Sequence, residues 1–191
     1  YCQTVALCDV DRWRLRVEDI PNIAAVARKN QWDVAILKDT LRTTDFRELL
    51  AHKDVDAVMI STPDHWHVPI ALAAIKAGKD VALEKPIGLA IAHGRVLADA
   101  AARSKIVFRT DSNWRSEPEL FRVAGLVRTG KIGQLKRIRF AVPIYPVPTP
   151  NEATMPVPET LDYEMWQGPA ERRPYTEERV HPCEKIGRPG W

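Results

Sequence analysis

The chain has 191 residues, 45% of them apolar and 28% charged, the balance of a globular protein with a core and not of a disordered one. Its 28 basic and 25 acidic residues are interspersed and leave a net charge of +3, which argues against nucleic acid as a partner, and no apolar run approaches bilayer length. Cys2, Cys8 and Cys183 have neither C-x-x-C spacing nor a His at finger intervals, which excludes a disulfide framework and a zinc finger.

In chain order, Val5-Ala-Leu-Cys-Asp9 reads as a short buried strand with an acid at its carboxyl end. Arg12 to Asn30 is helical in composition but contains Pro21, which predicts either two pieces or a helix after an irregular start. Asp45 is placed to cap a short helix from Phe46 to His52, with Glu48 as the acidic half of a capping box. Asp56 to Ile60 is the next strand. Ile70, Ala71, Ala74 and Ile75 then recur at helical spacing up to Gly78.

Val81-Ala-Leu83 is a further strand. A helix from about Ala90 to Arg103 is expected to bury Ile91, Gly94, Ala98 and Ala101. Ile106-Val-Phe108 is another strand, and Pro118 opens a helix whose face is Leu120, Val123, Ala124 and Val127, closed by Gly130. Strands and helices alternating at this spacing predict a doubly wound α/β fold, a parallel sheet with helices on both faces.

The pattern changes after Gly133. Gln134 to Val142 places Leu135, Ile138, Phe140 and Val142 as a half-covered strand would, so residues 1–133 are expected to form one domain and 134–191 the start of a second, α+β one. Pro143 to Pro158 reads as an extended arm, and Leu161 to Trp191 shows no regular pattern. The chain opens without Met almost directly into a strand and stops at Gly190-Trp191. The expectation is therefore an internal piece of a longer protein, from which any signal peptide would be hidden.

The polar chemistry gathers at strand ends. Ser61-Thr-Pro-Asp-His-Trp-His67 follows one strand and Glu84-Lys-Pro86 the next, and in an open α/β sheet the carboxyl rim is where ligands bind. Asp9 ends the first strand, where dinucleotide folds use an acid on the adenosine ribose hydroxyls. A turn or helix-capping acid is the alternative there, with Asp11 close by. His65 and His67 either begin a helix or, as His-x-His after a strand, begin a metal site. A metal site would need further His and Asp at later strand ends, and His52, His93 and His181 do not supply them, so no metal is expected. Asn113 and Arg115 follow the strand of Ile106 to Phe108 on the same rim, or form a capping loop before Pro118.

Together the Ser61–His67 turn, Glu84-Lys-Pro86, Arg128-Thr-Gly-Lys-Ile-Gly133 and Trp166-Gln-Gly-Pro169 resemble the glucose–fructose oxidoreductase / inositol dehydrogenase family, in the same order over roughly residues 4 to 190. The resemblance implies a Rossmann-like sheet lacking its first strand and an NAD-dependent oxidoreductase of a sugar or polyol. NAD is favoured over NADP by the acid at Asp9. It implies that Thr62, Pro63, Asp64 and His67 lie against the nicotinamide-ribose half of the cofactor, that Glu84 helps hold it, and that Lys85 is catalytic. Asn113 and Arg115 would lie near cofactor and substrate. Trp166 would fold back over the nicotinamide pocket with Arg172 and Arg173 beside it; a Trp that packs its loop onto the sheet is the alternative there.

Two parts of the family pattern are expected outside the chain: the Gly-rich phosphate loop upstream of Tyr1, and a base His downstream of Trp191. On that basis the 191-residue piece alone is expected to be unstable and inactive. Some relatives use NAD transiently to cleave glycosidic bonds, which makes NAD-assisted hydrolysis the alternative activity; a non-catalytic nucleotide- or sugar-binding relative is the third. The resemblance further implies a homo-oligomeric complete protein with no nucleic-acid or membrane partner. Its compartment would be the cytoplasm, or the periplasm if a signal directs export in folded form.

Overall fold

The computed structural model describes residues 2–141 and 153–180. They form two compact units, one from residues up to Thr110 together with those from Thr154 onward, the other from Asp111 to Ala153. The first unit holds five short parallel strands in two ladders. β1 (Ala6–Cys8) pairs with β2 (Leu41–Thr43). β3 (Ala57–Ile60), β4 (Asp80–Leu83) and β5 (Phe108–Thr110) form a three-stranded sheet in that order. This is the Rossmann-like α/β arrangement of parallel strands joined by helices.

The connections follow the sequence closely. A 3-10 turn at Val17–Asp19 precedes α1 (Pro21–Asn30), with Pro21 in the first turn, where its missing N–H has no helical partner to lose. α2 (Phe46–Ala51) follows β2, and α3 (Asp64–Lys76) joins β3 to β4. α4 (Ile91–Arg103) joins β4 to β5. Gly78, at φ +71°, takes the left-handed conformation that closes α3, which only glycine adopts without a Cβ penalty.

Alternate residues of a strand share a face. Val58 and Ile60 of β3 and Val81 and Leu83 of β4 are buried, and α3 covers that face with Ile70, Ala71 and Ala74. The two alanines are fully buried and let the helix backbone lie close to the sheet. Leu50, Val55 and Leu97 complete this core. Each such branched side chain taken from water contributes about 1.5–3 kcal/mol.

Four local expectations are corrected. α4 forms where predicted, but Ile91 stands 96% exposed at its start and Ala98 is exposed, while Leu97 is the residue it buries. Gly94 and Ala101 are half-buried on the same side as Leu97, and α4 packs against α3. The capping box at α2 is only half made. Asp45 accepts from Arg47 N (2.9 Å), but Glu48 turns to the Thr43 hydroxyl, and that hydroxyl accepts from Asp45 N (3.1 Å) in its place. Thr43 sits nearer to Asp45, so the strand end takes the role that the box assigns to Glu48.

In the second unit, α5 (Pro118–Arg128) forms after a 3-10 turn at Asn113–Ser116. Its expected inner face is not covered there, with Leu120, Val123 and Val127 exposed. Residues 134–141 form no strand, and Leu135, Ile138 and Phe140 are exposed. A strand needs a neighbour to take its backbone bonds, and the described residues supply none. The remainder of the predicted strand and the proline-rich stretch up to residue 152 lie outside the described residues, as do His181, Cys183 and the chain beyond Val180. No helix among the described residues is long and apolar enough to cross a membrane.

Candidate active site at the β3–β4 rim

The register of the sheet brings the two polar motifs together. Ile60 pairs with Leu83, and the ladder continues one step further through Glu84 N donating to Ile60 O (2.9 Å). Ser61-Thr62 and Glu84-Lys85 therefore leave the sheet side by side at its carboxyl rim. α3 starts at once: Pro63 is its cap, and Trp66 N closes the first turn on Pro63 O (2.9 Å). The unbonded N–H groups of that first turn carry the positive end of the helix dipole, and Asp64 lies within it.

Around this junction each side chain has a distinct situation. Thr62 Oγ1 is buried and has no hydrogen-bond partner among the described residues. A buried hydroxyl left unpaired costs about 1–3 kcal/mol, so a partner from a bound molecule would be favoured there. Glu84 folds its carboxylate back onto the N–H of Lys85, and the Lys85 side chain is exposed. The Lys85–Pro86 peptide bond is cis. His67 is 1% exposed, with Nε2 2.8 Å from Thr62 O and Nδ1 2.6 Å from Pro86 O.

His65 and Trp66 point to a helix far along the chain. α6 (Tyr163–Gln167) is capped by Asp162, whose carboxylate accepts from Met165 N (2.9 Å). Trp66 Nε1 donates to Met165 O (2.7 Å), and His65 Nε2 lies 2.7 Å from Trp166 O. Trp166 stacks on Tyr163 and meets the His65 ring edge-on. The Trp-Gln-Gly-Pro segment is thereby seated beside the start of α3, at the rim. Sequence periodicity did not reveal α6, because five residues are too few to show it; the Asp162 cap was the available signal.

At the end of β1, Asp9 N donates to Thr43 O (3.3 Å), and Asp9 Oδ1 accepts from Asp11 N (2.9 Å). Asp9 thus makes the turn that the alternative reading described. A carboxylate has roughly four acceptor positions, so a ribose contact and this turn are compatible. Asp11 is itself buried, accepts from Trp13 N (3.0 Å) and bridges to Leu161. Its place is in the packing of the 160–162 segment.

Arg172 pairs with Glu164 and Arg173 with Glu171 on the surface. Asn113 and Arg115 fall in the second unit, in its 3-10 turn, and the Asn113 side chain lies outside what is described. No group of three or more His, Cys, Asp or Glu side chains among the described residues is placed to hold a metal ion.

Residues 6–112 match a family profile described as an oxidoreductase family with an NAD-binding Rossmann fold. Residues 135–186 match the C-terminal alpha/beta domain of an oxidoreductase family. The chain is 32% identical over 97 residues to a levoglucosan dehydrogenase of Pseudarthrobacter phenanthrenivorans, a match covering 51% of this chain and 25% of the relative. It is 31% identical over 116 residues to a glycosyl hydrolase family 109 protein of a Shewanella species, covering 59% and 24%. Among solved structures it is similar to the scyllo-inositol dehydrogenase of Lactobacillus casei with bound NAD(H) and scyllo-inositol. That likeness has a TM-score of 0.52 and 29% identity over 67% of this chain and 34% of the neighbour. The matches thus span a quarter to a third of the relatives' lengths.

Proposed function

Because the chain belongs to the glucose–fructose oxidoreductase / inositol dehydrogenase family of NAD-binding oxidoreductases, we propose that the complete protein moves a hydride between a carbinol carbon of a sugar or polyol and NAD. The observation that carries this reading is the pairing of β3 with β4, which sets the unpartnered Thr62 hydroxyl and the exposed Lys85 on adjacent strand ends. When bound, the nicotinamide supplies the hydride acceptor. Thr62, Asp64 and the first turn of α3 would hold its ribose half by hydrogen bonds, with Glu84 steadying the neighbouring turn. Asp9 would accept from the adenosine ribose and disfavour a 2′-phosphate there, which makes NAD the cofactor in preference to NADP.

Lys85 would donate to the reacting hydroxyl of the substrate and stabilise the negative charge that grows on its oxygen. Trp166, seated by His65 and Trp66, would wall the same pocket. Complete enzyme carrying Lys85→Ala is expected to lose about 100-fold or more in turnover while binding NADH nearly as before. Turnover equal to wild type would remove Lys85 from the chemistry.

The resemblance to the glycosyl hydrolase family 109 protein favours one second reading, NAD-assisted cleavage of a glycosidic bond. The two readings separate in one assay. Net oxidation accumulates NADH in step with product, whereas assisted cleavage releases sugar with no net NADH.

A further inference from the structure

We propose that His67 is a positioning residue, a buried tie that sets the spacing of the Thr62 and Lys85 turns by standing between their backbones, with a ring nitrogen against a carbonyl of each. The inference rests on the reading of those two turns as the cofactor- and substrate-facing groups. His67 lies one turn inside α3, and its ring reaches back under the β3–α3 junction. Nε2 lies 2.8 Å from the carbonyl of Thr62, and Nδ1 lies 2.6 Å from the carbonyl of Pro86, the residue next to Lys85. The ring is 1% exposed, so water does not offer either nitrogen an alternative partner.

A carbonyl oxygen only accepts hydrogen bonds, whereas neutral imidazole has one N–H and one bare nitrogen. The ring N–H therefore donates to one of the two carbonyls, the tautomer sets which, and in either tautomer the ring stands between the two turns. The charged groups nearest along the two turns are Asp64 on α3 and Glu84 and Lys85 after β4.

Strand pairing fixes the two turns only as far as Glu84 N on Ile60 O; beyond that point His67 is the side chain that links them. With both nitrogens committed to backbone, His67 acts on the chemistry through Thr62 and Lys85. The plain alternative is a core histidine that merely fills space. A tie and a filler differ in what a variant loses. A tie that slackens by a fraction of an ångström misplaces Lys85 relative to the cofactor and costs turnover, while the nucleotide still binds.

The test uses the complete protein labelled with ¹⁵N-histidine, together with His67→Gln, which keeps one amide donor, and His67→Leu, which keeps none. Wild type should show one histidine whose ring N–H is protected from exchange with solvent, a signal absent from either variant. Turnover should fall about tenfold in His67→Gln and about 100-fold in His67→Leu, with the NADH dissociation constant within about threefold of wild type. A ring N–H at His67 that exchanges freely with solvent, or wild-type turnover in a folded variant, would overturn the proposal. Parallel loss of NADH binding and cooperative melting in His67→Gln would also overturn it, as core packing alone. If His67→Leu does not fold, His67→Gln and the ring-nitrogen signals decide. Wild-type protein that fails to bind NADH would instead sink the functional reading, and the ring protons would still judge the tie.

Discussion

Gly168 shows how a single position depends on a residue a hundred places away. Its backbone sits at φ +48°, and a Cβ added there would lie 2.3 Å from the Trp66 indole. The indole is held by its bond to Met165 O and by edge contact with Phe46, so it has little freedom to yield. Gly168→Ala is expected to destabilise by about 1–3 kcal/mol through overpacking and left-handed strain, read as a lower midpoint in chemical denaturation. Cys8 makes a second prediction at this scale. Although the residue keeps surface exposure, partial burial of the thiol, with the carboxylates of Asp9, Asp45 and Glu48, pushes it up to about 12. The thiol therefore stays protonated at pH 8, and Cys8 should alkylate with iodoacetamide far more slowly than the exposed Cys2, read by peptide mass spectrometry. Thr62 and Lys85 were legible as site candidates because residue type and place at a strand end coincide. The tie at His67 was not, because its partners are backbone carbonyls that only the folded turns bring within reach.

Elements are legible where a period or an apolar run shows. α3 and α4 run 13 residues each; β1 and β5, of three residues, are marked by the apolar runs Val5–Cys8 and Ile106–Phe108, whereas Leu41-Arg-Thr43 of β2 has no such run. β2 is instead fixed by side-chain bonding at Arg42, whose guanidinium bonds the Leu15 carbonyl (2.8 Å), the Leu37 carbonyl (3.1 Å) and the Glu18 carboxylate. That bonding draws the 3-10 turn at Val17–Asp19 and the loop before β2 onto the strand. Arg42→Met should lower stability by about 1–2 kcal/mol, mostly from the two carbonyls left without a donor, since exposed ion pairs contribute little. A variant melting like wild type would show that water replaces those bonds. The same arginine holds the Glu18 carboxyl below its usual range. That contribution is present above the ordinary carboxylate range and is lost as pH falls through the lowered value. The misplaced stripe of α4 and the strand expected after Gly133 share one cause. Both depended on which neighbour covers an apolar face, and the local pattern does not encode that.

At the scale of the molecule, the two ladders are separate. Among the described residues no strand pairs with β1 opposite β2, or with β3 opposite β4. α2 touches β1, β2 and α3, and Val5 and Ala6 pack against the core of the larger sheet, so side chains alone join the ladders. Two ladders that share no backbone hydrogen bonds open as separate units. The 191-residue chain purified alone is therefore expected to melt gradually, and a sharp calorimetric transition would contradict that. The fold class was legible because strand–helix alternation is a global pattern that survives errors at single elements. Substrate was not, because selectivity depends on which side chains line a folded pocket, and residue type and spacing alone do not encode that. As proposed, the β3–β4 rim, with Asp9, belongs to an NAD site. The most direct test is to express the complete reading frame as one protein, denature it, and identify any released nucleotide by mass spectrometry. Released NAD, or tight binding of added NADH with weaker binding of NADPH, is the predicted result. No nucleotide, together with no binding of added NADH, would contradict it.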